Sequence, residues 1–448
     1  MGMICTSLRE WLDFLEQENY LKTVTKKVDL VHELAALGKK ADGRYALKFT
    51  NTGHEIPVVT GFAGNRALMA KAMDVEVEQV AEHFAWAQSN PMECSIIARE
   101  KAPVKQFVTL DVDLKKLPIP VHHEKDNGAY ITAALLIAKD PETGERNVAI
   151  HRLQVSGADR LGILILPRHL AHFYQKAEAR GEALEIALAI GVDPILLLAS
   201  QALAPLGFDE FTIASRLYGK PVELVRCETV DLEVPAHAEI ILEGKLLPGV
   251  REIEGPFGEY PKYYGPASLK PVVELTAMTT RENPIYHTIV PATMEHCLLG
   301  AIPREGGMLQ IIRNTVPATL GVHLTPGGTC RYHVVVKIDK KHEGEAKNAM
   351  FAAFGTSHEV KHVVVVDKDV DIFHMEDVEW AIATRSQAGR DVVIVERAAG
   401  NLLDPSTDEG ICDKMGIDAT VPLNAPAERF ERVRIPGEEK LRLEDYIG

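Results

Sequence analysis

Apolar residues at helical spacing dominate the start of the chain. Thr6 and Ser7 can cap a helix whose apolar stripe follows at i, i+3, i+4 and i+7. The stripe consists of Leu8, Trp11, Leu12 and Leu15. Short β-rich runs at 46–49 and 56–60 follow, and then a helical pattern over 77–87. The first hundred residues therefore predict a small α/β unit.

Short β-branched or apolar runs separated by turns fill the region from about 108 to 290. The predicted strands are 130–138, 147–155, 161–166, 222–227, 238–242, 272–280 and 285–290, with a hairpin turn at 281–284 joining the last two. Two helices interrupt them, at 168–180 before Gly181 and at 184–190 before Gly191. Many strands at close spacing predict a barrel or a sandwich.

Strand and helix patterns alternate after Cys330. The predicted order is strand 332–337, helix 343–354, strand 362–366, helix 375–384 and strand 391–395. This βαβαβ rhythm predicts a third, α/β unit. The tail, 402–448, is polar and interrupted by prolines, and it predicts a short charged helix that packs on a neighbouring unit.

Composition narrows the class of protein. The net charge of -15 over 448 residues argues against binding to nucleic acid or to an anionic membrane surface. The six cysteines are scattered without a CxxC pair, as is typical of free thiols in a reducing compartment. Charged residues by Arg9 and Glu10 leave no signal-peptide core, and no apolar run approaches the roughly 20 residues of a membrane span. We expect a cytoplasmic protein.

Several common catalytic motifs are absent from the sequence. It contains no GxxxxGK[ST] phosphate loop, no GxGxxG after a strand, no GxSxG elbow and no HExxH. Nucleotide-binding, α/β-hydrolase and zinc-protease functions are therefore disfavoured.

The hexapeptide 254–259, EGPFGE, combines two carboxylates with turn residues. Gly255 and Gly258 allow close approach of the backbone to a ligand, and Pro256 stiffens the turn. If Glu254 and Glu259 lie close together they cannot both ionise freely, so one keeps a proton that it can deliver to a carbanion. The alternative is a surface turn with two solvated glutamates.

A second group of polar residues lies on the predicted strand 147–155. Asn147 and His151 face one side of the strand, and Arg152 faces the other. An arginine in a largely apolar strand needs a carboxylate partner, and Glu254 or Glu259 would serve. The alternative is a strand-end arginine paired only for structure.

Two further polar residues stand at helix starts. His169 follows the strand 161–166, and Glu210 lies with Asp209 in the run 207–211. Taken alone, His169 is typical of a cap or surface residue, and the acids are typical of a helix start favoured by the dipole.

Together these residues form an ordered set. Asn147, Arg152, His169, Glu210 and the run 254–259 occur in the order and approximate spacing found in UbiD-type decarboxylases. Further segments that resemble this family are 190–194, 234–244, 369–372, 380–385 and 414–420. The resemblance covers essentially the whole chain.

The resemblance implies a fold and a domain organisation. Members have a central split β-barrel, like that of flavin reductases, flanked by N-terminal and C-terminal α/β domains. For this chain it implies an N-terminal domain over 1–107 and a barrel over 108–300 that binds prenylated FMN and metal. It also implies a C-terminal domain over 301–448, for oligomerisation and part of the substrate pocket. We expect a homodimer or a higher homo-oligomer.

The resemblance also assigns residues. Metal ligands would be Asn147, His169 and Glu210, holding Mn²⁺ or Mg²⁺ with K⁺ nearby, and mixed N/O ligands suit such hard cations. The residues implied to bind the cofactor are Asn147, Ala149, Ile150, Arg152, Arg168, His169 and Glu210. Catalysis would rest on Arg152, Glu254 and Glu259, with Glu259 protonating the carbon that loses CO₂. A flavin prenyltransferase would supply the cofactor.

The resemblance implies that the predicted loop 291–304 borders the substrate pocket. It carries His296 and Arg304, and Arg331 is a possible third cation. Such cations suggest a second anionic group on a small carboxylic acid substrate, for which arginine is well suited. The loop resembles that of furan-2,5-dicarboxylate decarboxylases, which give 2-furoate and CO₂ and can run in reverse under high CO₂.

Alternatives stay open for the substrate and for the reaction. Arg304 could pair with Glu295 or Glu305 while His296 is structural. Other family substrates would be pyrrole-2-carboxylate, a hydroxybenzoate or a phosphorylated unsaturated acid. Outside this chemistry, a split barrel with FMN could be a nicotinamide-dependent reductase, and a noncatalytic subunit of a carboxylase is a further option. The paired acids and the complete set of site residues argue against both.

Overall fold

A computed structural model describes residues 4–442, 445 and 446. The N-terminal helices and strands are α1 (Leu8–Gln17), β1 (Leu21–Val24), α2 (Glu33–Ala41), β2 (Ala46–Phe49), β3 (Val58–Thr60), α3 (Arg66–Met73) and α4 (Val80–Ser89). The predicted first helix is confirmed: the Ser7 side chain accepts a hydrogen bond from Glu10 N at 3.3 Å, and the apolar stripe is buried. Single 3₁₀ turns occur at Val77–Gln79, Arg99–Lys101, Pro103–Lys105, Leu114–Lys116, Ala427–Arg429 and Glu438–Lys440.

The N-terminal sheet takes a strand from the middle of the chain. Its order is β1-β2-β3-β18, where β18 is Tyr286–His287 and runs parallel to β3. The predicted hairpin at 281–284 is therefore wrong, because β17 (Ser268–Thr280) belongs to a different sheet. Buried Glu239 fixes the connection between β17 and β18, because it pairs with Arg281 and accepts a hydrogen bond from Ile285 N at 3.1 Å.

The central segment is built on one large antiparallel sheet. Its strands include β5 (Phe107–Thr109), β6 (Tyr130–Ile131), β7 (Leu135–Lys139), β8 (Arg146–Ile150), β9 (Leu153–Val155), β10 (Arg160–Ile163), β11 (Leu184–Ile190) and β14 (Ile240–Glu254), together with β17. Within the described residues the order is β6-β9-β10-β17-β14-β11-β7-β8, with β5 on β17. The remaining elements are β4 (Ser95–Ile96), α5 (His169–Ala179), α6 (Pro194–Ala199), α7 (Phe211–Tyr218), β12 (Glu223–Arg226), β13 (Glu233–Pro235), β15 (Phe257–Gly258) and β16 (Tyr264–Gly265).

Strand β11 corrects one prediction. The run 184–190 was expected to be a helix, but it pairs antiparallel with β14 on one side and with β7 on the other. Six of its seven residues are buried, so both faces of the strand are covered. A short, continuously apolar run has no period that separates helix from strand, and the neighbouring strands decide its conformation.

The C-terminal segment is an α/β unit, in which helices accompany a five-stranded sheet. Its elements are α8 (Met294–Thr315), β19 (Thr319–Leu324), β20 (His333–Ile338), α9 (Glu345–Thr356), β21 (His362–Asp367), α10 (Met375–Arg385), α11 (Ala388–Asp391), β22 (Val392–Ala399) and β23 (Ile411–Ala419). The predicted alternation from β20 to β22 is confirmed. The strand order is β19-β20-β21-β23-β22.

Strand β23 was missed in the polar tail. It lies between β21 and β22, parallel to the first and antiparallel to the second. Lys414 obscures its pattern, since this buried ammonium donates to the carbonyls of His358 and Val360 at 3.0 and 2.7 Å. The predicted charged helix at the chain end lies partly outside the described residues.

Helix α8 corrects the predicted loop 291–304. Pro303 lies inside this helix, and glycines at 300, 306 and 307 lower its helix propensity in the sequence. Packing against α4 stabilises α8 in spite of this low propensity. A Cβ at Gly306 would lie 2.5 Å from Ala81 O of α4, so the two helices touch at this glycine. Among the described residues, no helix is long and apolar enough to cross a membrane.

The division at 107/108 and 300/301 stays a prediction. The central strand β18 adds to the N-terminal sheet, and α8 runs through the second boundary. A multidomain α/β architecture with one large central sheet is what the structure shows.

Candidate active site

Arg152 joins the two glutamates of the EGPFGE turn. It lies between β8 and β9, and its Nε and Nη2 donate to the two carboxylate oxygens of Glu254 at 2.9 and 2.8 Å. Its Nη1 donates to Glu259 Oε1. Glu254 ends β14, and Glu259 follows β15. The sequence predicted that Arg152 needs a carboxylate, and the structure gives it both.

Backbone geometry brings Glu254 to Arg152. Gly255 has φ +89°, and a Cβ there would lie 3.0 Å from Pro266 O, so only glycine fits without strain. Its N–H lies 3.0 Å from Gln154 Oε1 and 3.2 Å from the Tyr130 hydroxyl, which itself donates to Gln154. The turn is therefore anchored to β6 and β9 directly after Glu254.

The two carboxyls differ in their environments. Glu254 is fully buried and holds Arg152 in a bidentate pair, while Glu259 is 8% exposed. Burial raises the pKa of Glu259, the charge and hydrogen bond of Arg152 lower it, and the Glu254 charge raises it again, leaving it above the usual value. Burial lowers the pKa of Arg152, but the Glu254 hydrogen bond and the charges of both carboxylates outweigh burial and bring this pKa above its usual value. The raised pKa favours the protonated form of Glu259, which is the form that can donate a proton.

Asn147 and His169 are in contact, and Glu210 bonds to the backbone of the residue that follows Asn147 on β8. Asn147 lies on β8, His169 begins α5, and Glu210 immediately precedes α7. Asn147 Oδ1 and His169 Nδ1 are 3.0 Å apart, and Glu210 Oε2 accepts a hydrogen bond from Val148 N at 2.7 Å.

These three residues fit a hard cation. Burial raises the pKa of Glu210 to about 8, and a divalent cation beside it would offset that burial. Burial and the Arg168 charge lower the pKa of His169, so its imidazole is neutral, which is the form that binds metals. No cluster of three or more His, Cys, Asp or Glu side chains suited to a metal occurs in the described part of the chain, so a site here includes Asn147.

The other predicted cofactor residues surround this set. Ala149 and Ile150 are half-buried on β8, and Arg168 is exposed at the residue before His169. His151 offers a contact that we did not predict: its buried Nε2 has no hydrogen-bond partner among the described residues, and Nδ1 lies 3.2 Å from Leu164 O. An orphaned buried nitrogen is typical of a position completed by a ligand.

Two arginines lie close to each other in the C-terminal segment, Arg304 partly buried and Arg331 buried. Arg304 of α8 donates through Nη1 to Gly300 O at 2.6 Å, and its Nε is 3.6 Å from Glu359 Oε2. Arg331 donates to Cys330 O at 2.8 Å and lies 5.4 Å above the Tyr260 ring. A Cβ at Gly300 would lie 1.7 Å from Arg331 Nη2, so this glycine makes room for the second guanidinium.

Positive charge exceeds negative charge around Glu359. Burial and the neighbouring Arg331 lower the pKa of Arg304 to about 9, so it is still charged at neutral pH. Burial raises the pKa of Glu359, but Arg304, Arg331 and Arg168 together bring it below its usual value. Three arginine charges therefore act on one carboxylate.

The alternative partners of Arg304 are engaged elsewhere. Glu295 accepts hydrogen bonds from Gly61 N at 2.7 Å and Ala63 N at 3.1 Å. Glu305 pairs with Arg66 at 2.6 Å and with His323 at 3.0 Å. The partner of Arg304 is Glu359, which sequence reasoning missed because 55 residues separate the two and no local pattern links them.

His296 does not carry the predicted positive charge. Burial and the Arg331 charge lower its pKa to about 4, so the imidazole is neutral at pH 7. Its Nδ1 accepts a hydrogen bond from Ala292 N at 3.3 Å, which leaves Nε2–H as a neutral donor. The expectation of a cation at His296 is wrong, and the second cation beside Arg304 is Arg331.

Tyr260 connects the charged group of Arg304, Arg331 and Glu359 to Glu259. Its hydroxyl lies 3.3 Å from Glu359 Oε1, and Asn401 Nδ2 donates to both, at 2.6 and 2.7 Å. Because Tyr260 follows Glu259 directly along the chain, it links Arg304, Arg331 and Glu359 to the two glutamates that Arg152 holds. Asn401 was not predicted, since it lies 141 residues from Tyr260.

Comparison with known proteins gives the family. Residues 12–88, 95–294 and 297–419 match the N-terminal, Rift-related and C-terminal domains of the 3-octaprenyl-4-hydroxybenzoate carboxy-lyase (UbiD) family. An anhydromevalonate phosphate decarboxylase of Methanothermobacter thermautotrophicus is 41% identical over 427 residues, covering 95% of this chain and 99% of that protein.

Solved structures agree with this assignment. The UbiD-class enzyme HmfF from Pelotomaculum thermopropionicum, in complex with FMN, has a TM-score of 0.97 and 63% identity over 98% of this chain and 100% of that chain. An evolved dimeric form of HmfF with prenylated FMN has a TM-score of 0.92 and 59% identity over 99% of this chain and 100% of that chain. The chain belongs to the UbiD family of decarboxylases.

Proposed function

We propose that this chain uses prenylated FMN to decarboxylate furan-2,5-dicarboxylate, giving 2-furoate and CO₂, with reversal under high CO₂. The observation that carries the choice of substrate is the excess of arginine charge around Glu359. A monocarboxylate gives up its only charge as CO₂ and needs no second cation, whereas a diacid retains one carboxylate for arginine to bind.

The proposed cofactor site comprises β8 and the start of α5. Asn147, His169 and Glu210 would hold Mn²⁺ or Mg²⁺ at the cofactor phosphate, with K⁺ nearby. Ala149, Ile150, Arg152 and Arg168 would contact the cofactor. The central sheet would act as the split, flavin-reductase-like barrel of the family. Prenylated FMN, when bound, supplies an electron sink for the bond that breaks.

The residues of the chain supply placement and one proton. The bidentate pair with Glu254 fixes Arg152, and Arg152 in turn fixes Glu259. When the carbon–carboxylate bond breaks, CO₂ leaves and the Glu259 carboxyl gives its proton to the same carbon. Solvent restores that proton before the next turnover. Arg304 and Arg331 bind the carboxylate that stays, and His296 contributes a neutral hydrogen-bond donor.

A phosphorylated unsaturated acid is the second candidate substrate. The same arginines suit a phosphate group, and a relative with 41% identity is an anhydromevalonate phosphate decarboxylase. Pyrrole-2-carboxylate and hydroxybenzoate lack a second anionic group, so the charge of the pocket favours them less.

Assembly, location and cofactor supply complete the proposal. We infer a homo-oligomer, a cytoplasmic location and a flavin prenyltransferase as the source of cofactor. The resemblance to the family supports these points, and an evolved form of HmfF is dimeric.

A substrate panel tests the proposal. Enzyme co-expressed with a flavin prenyltransferase is incubated with furan-2,5-dicarboxylate, 2-furoate, pyrrole-2-carboxylate, 4-hydroxybenzoate and a phosphorylated unsaturated acid, and products are separated by chromatography. We expect kcat/KM for the furan diacid to exceed the monoacid values by about tenfold or more, because a charge-assisted hydrogen bond contributes about 1.5–3 kcal/mol. Preference for a monoacid would overturn the diacid assignment, and preference for the phosphorylated acid would select the second candidate.

A further inference from the structure

The turn that carries Glu259 is a weak structure by itself. Strands β15 and β16 have two residues each, and Glu259 N donates to Tyr263 O at 2.9 Å between them. An isolated two-stranded hairpin is at best marginally stable in water. The position of the Glu259 carboxyl therefore depends on contacts from outside the hairpin.

Asp126 provides one such contact immediately before Glu259. Its Oδ1 accepts a hydrogen bond from Gly258 N at 2.8 Å, and its Oδ2 accepts one from His123 N at 2.9 Å. The next residue, Asn127, donates its N–H to Pro256 O at 3.0 Å. The Asp126 side chain is fully buried, so its two backbone partners replace water.

The two segments touch without space between them. A Cβ at Gly258 would lie 2.4 Å from His123 Nδ1, so the bare backbone of Gly258 lies against the imidazole. Burial raises the pKa of Asp126, but the hydrogen bonds from His123 and Gly258 N bring it below its usual value. An ionised acceptor makes the bond to Gly258 N charge-assisted, which strengthens it.

From this geometry we propose that Asp126 is a positioning residue, which fixes the Glu259 carboxyl at the reacting carbon by holding the backbone of Gly258. Arg152 orients the Glu259 carboxylate from its oxygen end, and Asp126 fixes the backbone from which that side chain extends. The inference goes beyond the proposed function and rests on the role given there to Glu259 as proton donor.

The test is a double-mutant cycle between Asp126 and Glu259. D126A, E259Q and the double variant are compared with wild type in holoenzyme, using the acid of the panel that is turned over best. Misplacement of a catalytic group by about 1 Å can cost about a hundredfold, so we expect D126A to lower kcat about ten- to a hundredfold with KM and bound flavin unchanged. Because Asp126 acts through Glu259, adding D126A to E259Q should cost at most about twofold more.

Two further variants separate positioning from folding. D126N retains an oxygen acceptor for one of the two N–H groups, so its kcat should fall between those of wild type and D126A. D113A is the control: Asp113 is another loop aspartate that accepts a backbone N–H, from Lys115 at 3.1 Å, and D113A should leave kcat unchanged. If D126A does not fold, the cycle is run with D126N.

Each outcome bears on one claim. An unchanged kcat in D126A, or equal losses from D126A in the wild-type and E259Q backgrounds, would overturn the positioning role. If E259Q itself turned over at the wild-type rate, the proposed function of Glu259 would fail, whatever D126A did.

Discussion

Replacing Arg304 by alanine removes one of the two cations proposed to bind the distal carboxylate. Gly300 O holds Nη1 and Glu359 lies beside Nε, which leaves the Nη2 amino group for a ligand. One charge-assisted hydrogen bond contributes about 1.5–3 kcal/mol, so R304A should lower kcat/KM for furan-2,5-dicarboxylate about ten- to a hundredfold. A monoacid that lacks the distal group loses no partner, and its kcat/KM should change by about twofold at most.

The assay compares two substrates on three proteins. Release of CO₂ is followed for the diacid and for a slowly used monoacid with wild type, R304A and R313A. Arg313 is the matched control because it lies on the same helix and pairs with exposed Glu82 at 2.6 Å, away from Glu359. R313A should leave both substrates unaffected.

Three results would refute the reasoning. Equal losses on diacid and monoacid would make Arg304 a structural residue. An unchanged diacid rate in R304A would mean that the arginine excess does not recognise substrate. An equal discrimination loss in R313A would assign the effect to α8 as a whole.

Three further variants test other parts of the site. E259Q should lower kcat by about a hundred- to ten-thousandfold while flavin stays bound, because that is the contribution of a positioned general acid. Wild-type kcat should fall as pH rises through the raised pKa of Glu259, since only the protonated acid donates. A pH–rate series and flavin absorbance check both. H169A should fold but lose most bound flavin and divalent metal, measured by absorbance and elemental analysis, and full retention of both would remove the metal assignment. G300A should displace Arg331, because the new Cβ would lie 1.7 Å from Nη2; steady-state kinetics should show a higher KM for the diacid only, and an unchanged KM would exclude Arg331 from recognition.

Local pattern was sufficient where periodicity is unambiguous. The first helix has a full apolar stripe and a serine cap, and the C-terminal alternation has long, distinct periods. Prediction from local pattern failed where tertiary packing, and not the intrinsic propensity of the residues, decides between helix and strand. Strand β11 has no readable period, α8 contains Pro303 and three glycines, and Lys414 hides β23.

The chemistry followed a similar division. The order of Asn147, Arg152, His169, Glu210 and the EGPFGE turn could be read directly from the sequence. The structure joins Arg152 to Glu254 and Glu259 and places Asn147 beside His169. The partners that set their environment could not be read. Glu359 reaches Arg304 across 55 residues and Asp126 reaches Gly258 across 132, so only the folded chain places them together.

Deuterium incorporation tests the central claim most directly. Holoenzyme is given furan-2,5-dicarboxylate in D₂O, and the product is analysed by mass spectrometry and NMR. The account predicts 2-furoate with one deuterium at the carbon that lost CO₂, because Glu259 exchanges its proton with solvent between turnovers. Oxidation of added NADPH without release of CO₂, or 2-furoate formed without deuterium at that carbon, would contradict it.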